Sequence, residues 1–477
     1  MPVLDTNILI NAYFEDIAQI PHGSYNEEGI ADYIESVAQE QQLSYVRDEM
    51  NNIVIYKEAT EGYENHAPVM LQGHMDMVNE KNNDSNHDFE NDPLDLYVED
   101  GCLCAKGTTL GADDGYGICY MLAILTDDTL VHPPLECVFT VQEEVGLYGA
   151  AGLDASILQS KRMIGLDSEM EGETCTSSSG GCDLSMIKSI HYQNNEKPVY
   201  QIEVKGLLGG HSGECINKGR GNANKICARL LYQLLKNGID IQLVDITGGL
   251  KNNAIPRECV ATFASYNSYD EIKVIVYSLY EDIRKELEIG DPDIQVNVKQ
   301  DESDICIFAD ESESIISMMF LAINGCIEQS QVIPGLTTVS LNMGIVRMNE
   351  NEIIIDYSIR SPLKSARQNL CQQLELVTQI YNGFVQISGD YLGWDYDPHS
   401  QLRCQFKDFY LQKTGQQLKE VATHGGLETG IFKGKIPELD IITMGPNMSD
   451  IHTPDEKLDI QSYLNTYQLL VEFIATL

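Results

Sequence analysis

The chain has 477 residues, and its 31 Lys and Arg against 73 Asp and Glu give a formal net charge of −42 at pH 7. This charge argues against nucleic-acid and membrane partners, because phosphates repel an acidic surface. The sequence also lacks a run of ~18 apolar residues, so we expect no membrane span. The hydrophobic content of 43% suffices for two or three domains of ~150 residues, and thirteen cysteines without a CxxC pair indicate reduced thiols in a cytoplasmic protein.

The first part of the chain has the pattern of an α/β domain. Four short apolar runs predict buried strands: 53–56, 69–72, 135–141 and 162–166. Helical spacing of apolar residues predicts helices before and between these strands: 4–18, 27–42, 116–126 and 149–159. The alternation predicts a mostly parallel sheet flanked by helices, which binds its ligands beyond the carboxyl ends of the strands.

Between about 190 and 395 the pattern changes. The stretches ITGGLKNNAIPRECVATF (246–263) and SLNMGIVRMNENEIIIDYSIRSP (340–362) resemble each other, and each predicts a strand, a turn and a second strand. Predicted helices flank them: 222–236, 269–287, 311–327 and 364–381. We interpret this segment as an inserted, internally duplicated α+β lid domain. The predicted domains are a catalytic domain at 1–188 and 397–477 and a lid at 189–396, with related units at about 197–300 and 305–396.

Five polar segments fall where the predicted sheet has its loops: GHMD (73–76), GADDG (111–115), QEEVG (142–146), GLDSE (165–169) and SDIHTPDE (449–456). Any one of them is more typical of a turn, a cap or a solvated surface. A buried unpaired charge, however, costs several kcal/mol unless a cation neutralises it. A site for two divalent metal ions accounts for all five segments, because it needs imidazoles, terminal carboxylates and a bridging carboxylate.

The order and spacing of these segments resemble the zinc metallopeptidase family of dipeptidases, aminoacylases and acetylornithine-type deacylases. Within that family, KGTTLGADDGYG, GGHSG and HGGLETG are most similar to the bacterial aminoacyl-histidine (Xaa-His) dipeptidases. The resemblance spans essentially the whole chain. It implies a cytoplasmic, metal-dependent dipeptidase whose partners are small peptides, namely Xaa-His and other unblocked dipeptides.

The metal ligands that the resemblance implies are His74, Asp113, Glu144, Asp167 and His452. His74 and Asp167 would bind one ion. Glu144 and His452 would bind the other, and Asp113 would bridge the two. Asp114 is the competing candidate for the bridge, and the Asp113–Asp114 peptide bond is expected to be cis. Mixed imidazole and carboxylate ligands suit Zn²⁺, with Mn²⁺ or Co²⁺ as alternatives.

Three further residues would take part in the chemistry. Glu143 resembles the general base of the family, and on extended backbone it points away from its neighbour Glu144 and can face the water. Asp76, two residues after His74, would orient the imidazole ring. His211 in GLLGGHSGE would donate a hydrogen bond to the oxyanion.

Four residues match the family's substrate-binding positions. The free carboxylate of a dipeptide calls for an Arg and a neutral donor, and Arg360 in DYSIRSP and Asn253 in KNNAIP fit that role. Arg257 is a second cation that could share it. His424 and Glu428, at i and i+4 in THGGLETG, could line the pocket, and His424 could equally cap a turn.

Some alternatives stay open from the sequence. Shorter family members take the oxyanion His from a partner subunit, so His211 could serve its own subunit or the partner in a homodimer. A deacylase of N-acyl amino acids would share the mechanism, and the need for a free amino group on the substrate would separate the two. A catalytically inactive metal-binding regulatory subunit is a third reading. The pair Glu143–Glu144 argues against it, because a binding module needs no base beside a ligand.

Overall fold

The computed structural model describes residues 2–477, which form two compact units. The first unit comprises residues 2–178, 394–422 and 427–477, and the second comprises 179–393 and 423–426. The second unit is thus inserted into the first. It begins at 179 rather than at the predicted 189, because the strand Gly180–Ser189 pairs with two strands of the inserted unit. An apolar run marks a strand but not the sheet that the strand joins.

The centre of the first unit is a six-stranded sheet. Its strands in spatial order are Ser44–Arg47, Ile53–Lys57, Leu135–Thr140, Val69–His74, Arg162–Gly165 and Asp440–Thr443. The last four are mutually parallel, and the first two join antiparallel at one edge. The two central strands are buried along their whole length, as expected of parallel strands with both faces covered. The predicted strands and the mostly parallel sheet are confirmed.

Helices and small sheets complete the first unit. Its helices are Leu9–Ile17, Glu28–Glu40, Ala112–Thr126, Tyr148–Gly152, Gln401–Thr414, Glu428–Lys435 and Ile460–Ile474, with a 3₁₀ turn at Ala155–Ile157. A four-stranded sheet has the order Met448–Ser449, Lys457–Asp459, Cys102–Ala105 and Leu96–Glu99. Glu173–Cys175 and Lys419–Val421 form a parallel pair.

Two predicted helices of the first unit are shorter in the structure, and the pattern at 4–18 gives only Leu9–Ile17. The pattern at 149–159 gives only Tyr148–Gly152 and a separate 3₁₀ turn. Gly149 and Gly152 weaken the helix, and the Asp154 side chain then accepts a hydrogen bond from the Ser156 N–H, which starts the new turn. The periodicity of apolar residues continues across this break, so it does not reveal the break.

The second unit is built on one antiparallel sheet. Its main path runs Gln295–Asp301, Val199–Lys205, Cys259–Ala264, Gln242–Gly248, Thr337–Met348, Glu352–Ser361, Gly180–Ser189 and Phe384–Tyr391, with Gly325–Gln329 paired off this path. Its helices are Ser212–Cys215, Ala223–Lys236, Tyr269–Glu286, Ala309–Leu321 and Lys364–Ile380. Two short strand pairs are Tyr192–Asn194 with Ile305–Ile307, and Gly210–His211 with Ala254–Ile255.

The two halves of this sheet share one topology. If only the strands of the main path and the long helices are considered, each half runs strand, helix, strand, strand, helix, strand. With the four strands of a half numbered in this sequence, their order in the sheet from the outer edge inwards is 4-1-3-2. The second half takes its first strand from Gly180–Ser189, which precedes the whole first half in the chain. The shared order supports the predicted duplication. The predicted limits 305–396 for the second repeat omit this first strand.

The predicted helix 311–327 also ends early, at Leu321. The Lys225 ammonium group donates to the carbonyl groups of Met319, Phe320 and Ala322 and so closes the helix. Gly325 then adopts a φ of 106°, and the chain continues as the strand Gly325–Gln329. Among residues 2–477, no helix has both the length and the apolar composition needed to cross a membrane.

Candidate metal centre

The predicted metal ligands of the first unit gather at the carboxyl ends of its parallel strands. His74 ends one central strand, and Glu144 and Asp167 lie in the loops that follow its two neighbours in the sheet. Because parallel strands end at the same edge, residues that are far apart in sequence meet there.

Asp113 lies between two imidazoles. Its Oδ1 is 3.1 Å from His74 Nε2, and its Oδ2 is 3.2 Å from His452 Nε2. The same His452 nitrogen is 2.9 Å from Glu144 Oε1. His452 has a φ of 61°, in the left-handed region that bulky residues rarely adopt. Each oxygen of one carboxylate therefore faces a different imidazole, as a bridging ligand requires.

The ligand atoms form three overlapping groups. Within each group the atoms lie within 4.8 Å of one another, and the groups are His74 with Asp113 and Asp167, Asp113 with Glu144 and His452, and His74 with Glu143 and Glu144. The first two groups are the two ligand sets predicted from the sequence, and Asp113 is the residue that they share. The third group brings the predicted base beside the same site.

Asp114 has a different environment. Its buried carboxylate accepts hydrogen bonds from the backbone N–H groups of His74 and Gly117, and it belongs to none of the three groups. The Asp113–Asp114 peptide bond is cis, as the resemblance implies. The geometry therefore favours Asp113 over Asp114 as the bridge.

Asp76 contacts the His74 ring through its backbone. The His74 Nδ1–H donates to the Asp76 carbonyl oxygen at 2.9 Å, whereas the Asp76 carboxylate lies 3.6 Å from the same nitrogen. The carboxylate instead accepts the N–H groups of Glu143 and Glu144 and the Ser24 hydroxyl, at 2.9, 3.2 and 2.8 Å. Asp76 thus fixes both the imidazole, through its carbonyl, and the loop that carries the two glutamates.

The centre carries an excess of negative charge. Burial raises the pKa of Glu143 well above its usual range, and the charges of Asp167, Glu428 and Glu144 add to the shift while His74 opposes it. Burial and the charge of Asp113 likewise raise the pKa of Asp167 to about 8. Glu144 Oε1 is buried, and His452 Nε2 lies 2.9 Å from it. Crowded buried carboxylates with imidazoles beside them are the donor set that divalent cations neutralise, so these residues fit a pair of metal ions.

Two further buried carboxylates, those of Glu456 and Glu428, accept hydrogen bonds from residues near the proposed ligands. Glu456 accepts the N–H groups of Leu110, Gly111 and Ala112 at 2.8 to 3.1 Å, which positions the residue before Asp113. We did not predict this role, although Glu456 ends the SDIHTPDE segment. The predicted pocket residue Glu428 accepts from Gln72 and Thr140 at 2.5 and 2.6 Å, and its other oxygen is buried without a hydrogen-bond partner.

The second unit holds a cluster of donors of its own. His424 Nε2 lies 2.6 Å from the Ser340 hydroxyl, and Arg360 donates to the Tyr391 hydroxyl at 3.2 Å. Arg360 Nε and His424 Nδ1 are buried without hydrogen-bond partners. Burial, then the charges of Arg360 and His211, lower the pKa of His424 to about 3, and burial and Arg360 lower the pKa of His211. Three of the predicted substrate and oxyanion residues thus lie together, with donors available for an anion.

The remaining candidates of the second unit, Asn253 and Arg257, lie between the strands Gln242–Gly248 and Cys259–Ala264. The Asn253 carbonyl accepts the Ser212 N–H at 2.8 Å, beside His211, and Asn253 also lines an open cavity of ≈ 550 Å³. Arg257 Nε donates to the Leu207 carbonyl at 3.1 Å. Asn253 therefore lies near the loop of His211. Arg257 has at least one N–H group that already donates to the protein backbone.

Two imidazoles and four carboxylates that meet beside the ends of parallel strands, with one carboxylate facing both imidazoles, define a dinuclear metallohydrolase. The family model described as Peptidase family M20/M25/M40 matches residues 70–476. The chain belongs to this peptidase family, which confirms the family expected from its motifs.

Known relatives cover the full chain. The protein is 37% identical over 467 residues to the Escherichia coli (strain K12) protein named cytosol non-specific dipeptidase, which spans 97% of this chain and 96% of the relative. The solved structure of aminoacylhistidine dipeptidase from Vibrio alginolyticus matches with a TM-score of 0.93 and 34% identity, covering 99% of this chain and 98% of that chain. Aminopeptidase PepT from Bacillus cereus matches with a TM-score of 0.57 and 15% identity over 99% of both chains, which shows the fold alone.

Proposed function

We propose that the protein is a metal-dependent dipeptidase that hydrolyses Xaa-His and other unblocked dipeptides. Two full-length relatives support the substrate class, since one is named a non-specific dipeptidase and the other an aminoacylhistidine dipeptidase. The observation that carries the proposal is the carboxylate of Asp113, which presents one oxygen to each of two imidazoles. An inactive metal-binding subunit would have no use for the buried acid Glu143 beside this set.

Two divalent ions fit the ligand groups, and Zn²⁺ suits their mixture of imidazole and carboxylate, with Mn²⁺ or Co²⁺ as substitutes. His74, Asp113 and Asp167 would hold one ion. Asp113, Glu144 and His452 would hold the other. Such ions, when bound, lower the pKa of water towards neutrality and polarise a peptide carbonyl.

Glu143 is the proposed general base. Its N–H is held by the Asp76 carboxylate at 2.9 Å, so its backbone is fixed while its side chain lies among the ligand atoms. Glu143 accepts the proton of the attacking water and passes it to the nitrogen of the leaving amine. Burial and the surrounding charges raise its pKa, which favours the donating half of this cycle.

Five further residues are assigned roles in substrate binding. In the second unit, Arg360 binds the terminal carboxylate together with Asn253, and His211 donates to the oxyanion. His424 is a neutral pocket residue, since its pKa is lowered to about 3. In the first unit, Glu428 has a buried oxygen without a hydrogen-bond partner, and we assign it to the free amino group of the substrate.

We further propose that the protein works in the cytoplasm. The Escherichia coli relative is named a cytosol protein. Ten of the thirteen cysteines are buried, among them the free thiols Cys104 and Cys119, which suits a reducing compartment.

A substrate panel tests the function directly. The purified full chain is assayed with carnosine, Ala-His, Ala-Ala, Gly-Gly-Gly and N-acetyl amino acids, each with and without a chelator. We expect hydrolysis of the dipeptides alone, abolished by the chelator and restored by Zn²⁺ or Mn²⁺. Hydrolysis of the N-acetyl amino acids in place of the dipeptides would replace the proposal with a deacylase. A lack of turnover on every substrate with metal bound would support the inactive subunit.

A further inference from the structure

Two thiols of the second unit are in contact. Cys182 lies in the strand Gly180–Ser189, and Cys371 lies in the helix Lys364–Ile380. Their sulfur atoms are 3.7 Å apart, although the residues are 189 positions apart in sequence. A disulfide needs a separation of about 2.05 Å, so the sulfur atoms must approach by only about 1.7 Å.

A cavity gives access to this pair. It has a volume of ≈ 350 Å³, and its lining includes both cysteines together with Lys364, Arg367 and Asp390. Both cysteines are themselves buried, at 5% and 8% exposure, so an oxidant would reach them through this cavity, which is large enough to admit a small molecule. The pair therefore combines contact between two sulfur atoms with a route to them.

The two thiols are not equivalent. The hydrogen bond with Cys182 lowers the pKa of the Cys371 thiol, and the charge of Arg367 favours the thiolate, whereas burial and Asp390 oppose it. The same hydrogen bond and burial raise the pKa of Cys182. Because the thiolate is the reactive form, Cys371 is suited to react first and Cys182 to react second.

We infer that Cys182 and Cys371 form a reversible disulfide when the protein meets an oxidant of the peroxide class. The Cys371 thiolate attacks a peroxide oxygen, so that an S–O bond forms, the O–O bond breaks and hydroxide leaves to be protonated by solvent. The Cys182 sulfur then attacks the Cys371 sulfur, the S–S bond forms, and the hydroxyl group leaves with the Cys182 proton as water. Two thiols are oxidised by two electrons, and one hydrogen peroxide is reduced to two waters.

This inference goes beyond the proposed peptidase activity and does not rest on it. The pair lies in the second unit, whereas the metal ligands belong to the first. A disulfide at this position would tie the helix Lys364–Ile380 to the strand Gly180–Ser189. It would also close a long loop of the unfolded chain, which stabilises the second unit.

The test uses the full chain in the Cys404→Ser background, which removes the exposed thiol. The protein is treated with stoichiometric hydrogen peroxide and quenched with catalase. It is then denatured, alkylated and analysed by peptide mass mapping. We expect a cross-linked peptide that contains Cys182 and Cys371. Its mass should be about 2 Da below the summed masses of the two reduced peptides, and dithiothreitol should reverse the cross-link fully. Cys182→Ser should instead accumulate a sulfenic acid at Cys371 that dimedone labels.

A matched control is the fully buried Cys227, which also contacts a second cysteine, Cys259. Cys227→Ser should leave the Cys182–Cys371 cross-link unchanged, because Cys227 does not line the cavity of that pair and Cys259 lines a different cavity. Full alkylation of Cys182 and Cys371 after peroxide treatment would overturn the inference. So would a cross-link confined to Cys227 and Cys259, or dimedone labelling of Cys371 in the protein that retains Cys182.

Discussion

Asp76 illustrates how one short carboxylate organises a catalytic loop. It accepts the N–H groups of both Glu143 and Glu144, while its carbonyl fixes the ring of His74. Gln142 and Leu147, which flank the loop, both have φ angles near 60°, so the loop holds a conformation that most residues avoid. Two adjacent glutamates can then serve different roles because their backbone is fixed before any ligand binds.

Replacing Glu143 separates catalysis from metal binding. The change Glu143→Ala removes the proposed base but keeps the five ligands, so we expect kcat on Ala-His to fall by about 10²- to 10⁴-fold. Metal content measured by elemental analysis should stay at the wild-type value. The exposed surface change Glu61→Gln is the control and should alter neither quantity. Wild-type turnover in Glu143→Ala would refute the assigned base.

Arg360 allows a test of how the substrate is recognised. Its Nε is buried without a hydrogen-bond partner, and the loss of a charged hydrogen bond to a carboxylate costs about 1.5–3 kcal/mol. We expect Arg360→Met to raise KM for Ala-His by about 10- to 100-fold. The KM for the amidated dipeptide, which lacks the carboxylate, should change little.

A matched control for Arg360 is Arg229 of the same unit. Arg229 pairs with Glu286 and is partly exposed, so Arg229→Met should leave both KM values near those of the wild type. Equal losses of affinity for the free and amidated dipeptides in Arg360→Met would contradict carboxylate recognition.

At the scale of whole elements, polar side chains from distant parts of the sequence form hydrogen bonds with the ends of the helices near the site. The Lys435 ammonium group donates to the carbonyl groups of Ala150, Ala151 and Leu153 and closes the helix after the glutamate loop. Glu456 accepts three N–H groups at the start of the helix that carries Asp113. These contacts satisfy helix-end groups that the helices themselves leave unpaired.

Glu456→Gln tests the second of these contacts. The amide keeps the shape of the side chain but removes the charge that accepts three buried N–H groups, so we expect a loss of about 1–3 kcal/mol in the free energy of unfolding. We also expect weaker metal binding, because Asp113 directly follows the anchored residues. Urea denaturation and metal titration measure the two effects. The change Glu472→Gln removes a partly exposed ion pair with Lys413 and leaves an oxygen that can accept from Gln468, so it should cost less than about 1 kcal/mol.

The elements predicted best are those whose signal is local. The central strands Val69–His74 and Leu135–Thr140 are buried throughout, and their continuous apolar runs are visible in the sequence. The sheet to which Gly180–Ser189 belongs is not visible there, because the partners of this strand lie more than 160 positions further along the chain. Glu456 was missed for the same reason, since its contact to Ala112 spans 344 positions.

The candidate site was predictable for a different reason. Its ligands sit in short segments such as GADDG and QEEVG, and the chemistry of two cations dictates which residue types must meet there. The structure places those ligand atoms within reach of one another. The contact between the Asp76 carboxylate and the glutamate loop, by contrast, depends on how the loop folds back, which no pattern of residue types reveals.

At the scale of the whole molecule, the division into two units gives a test of where metal binding acts. All five proposed ligands belong to the first unit. An ion that binds only the folded state at about 1,000 times its Kd stabilises that state by about 4 kcal/mol. Removing the ions should therefore lower the melting temperature of the first unit by roughly 10 °C and leave that of the second unit unchanged.

Differential scanning calorimetry with excess Zn²⁺ or excess chelator measures this shift. We expect two transitions, of which only one moves, because the crowded carboxylates of the first unit repel one another once the cations are gone. Asp113→Asn, which lacks the shared carboxylate, should melt at the same temperature with and without chelator. An equal shift of both transitions would mean that the ions stabilise the units together. The absence of any shift, with depletion verified by elemental analysis, would contradict the proposed metal centre.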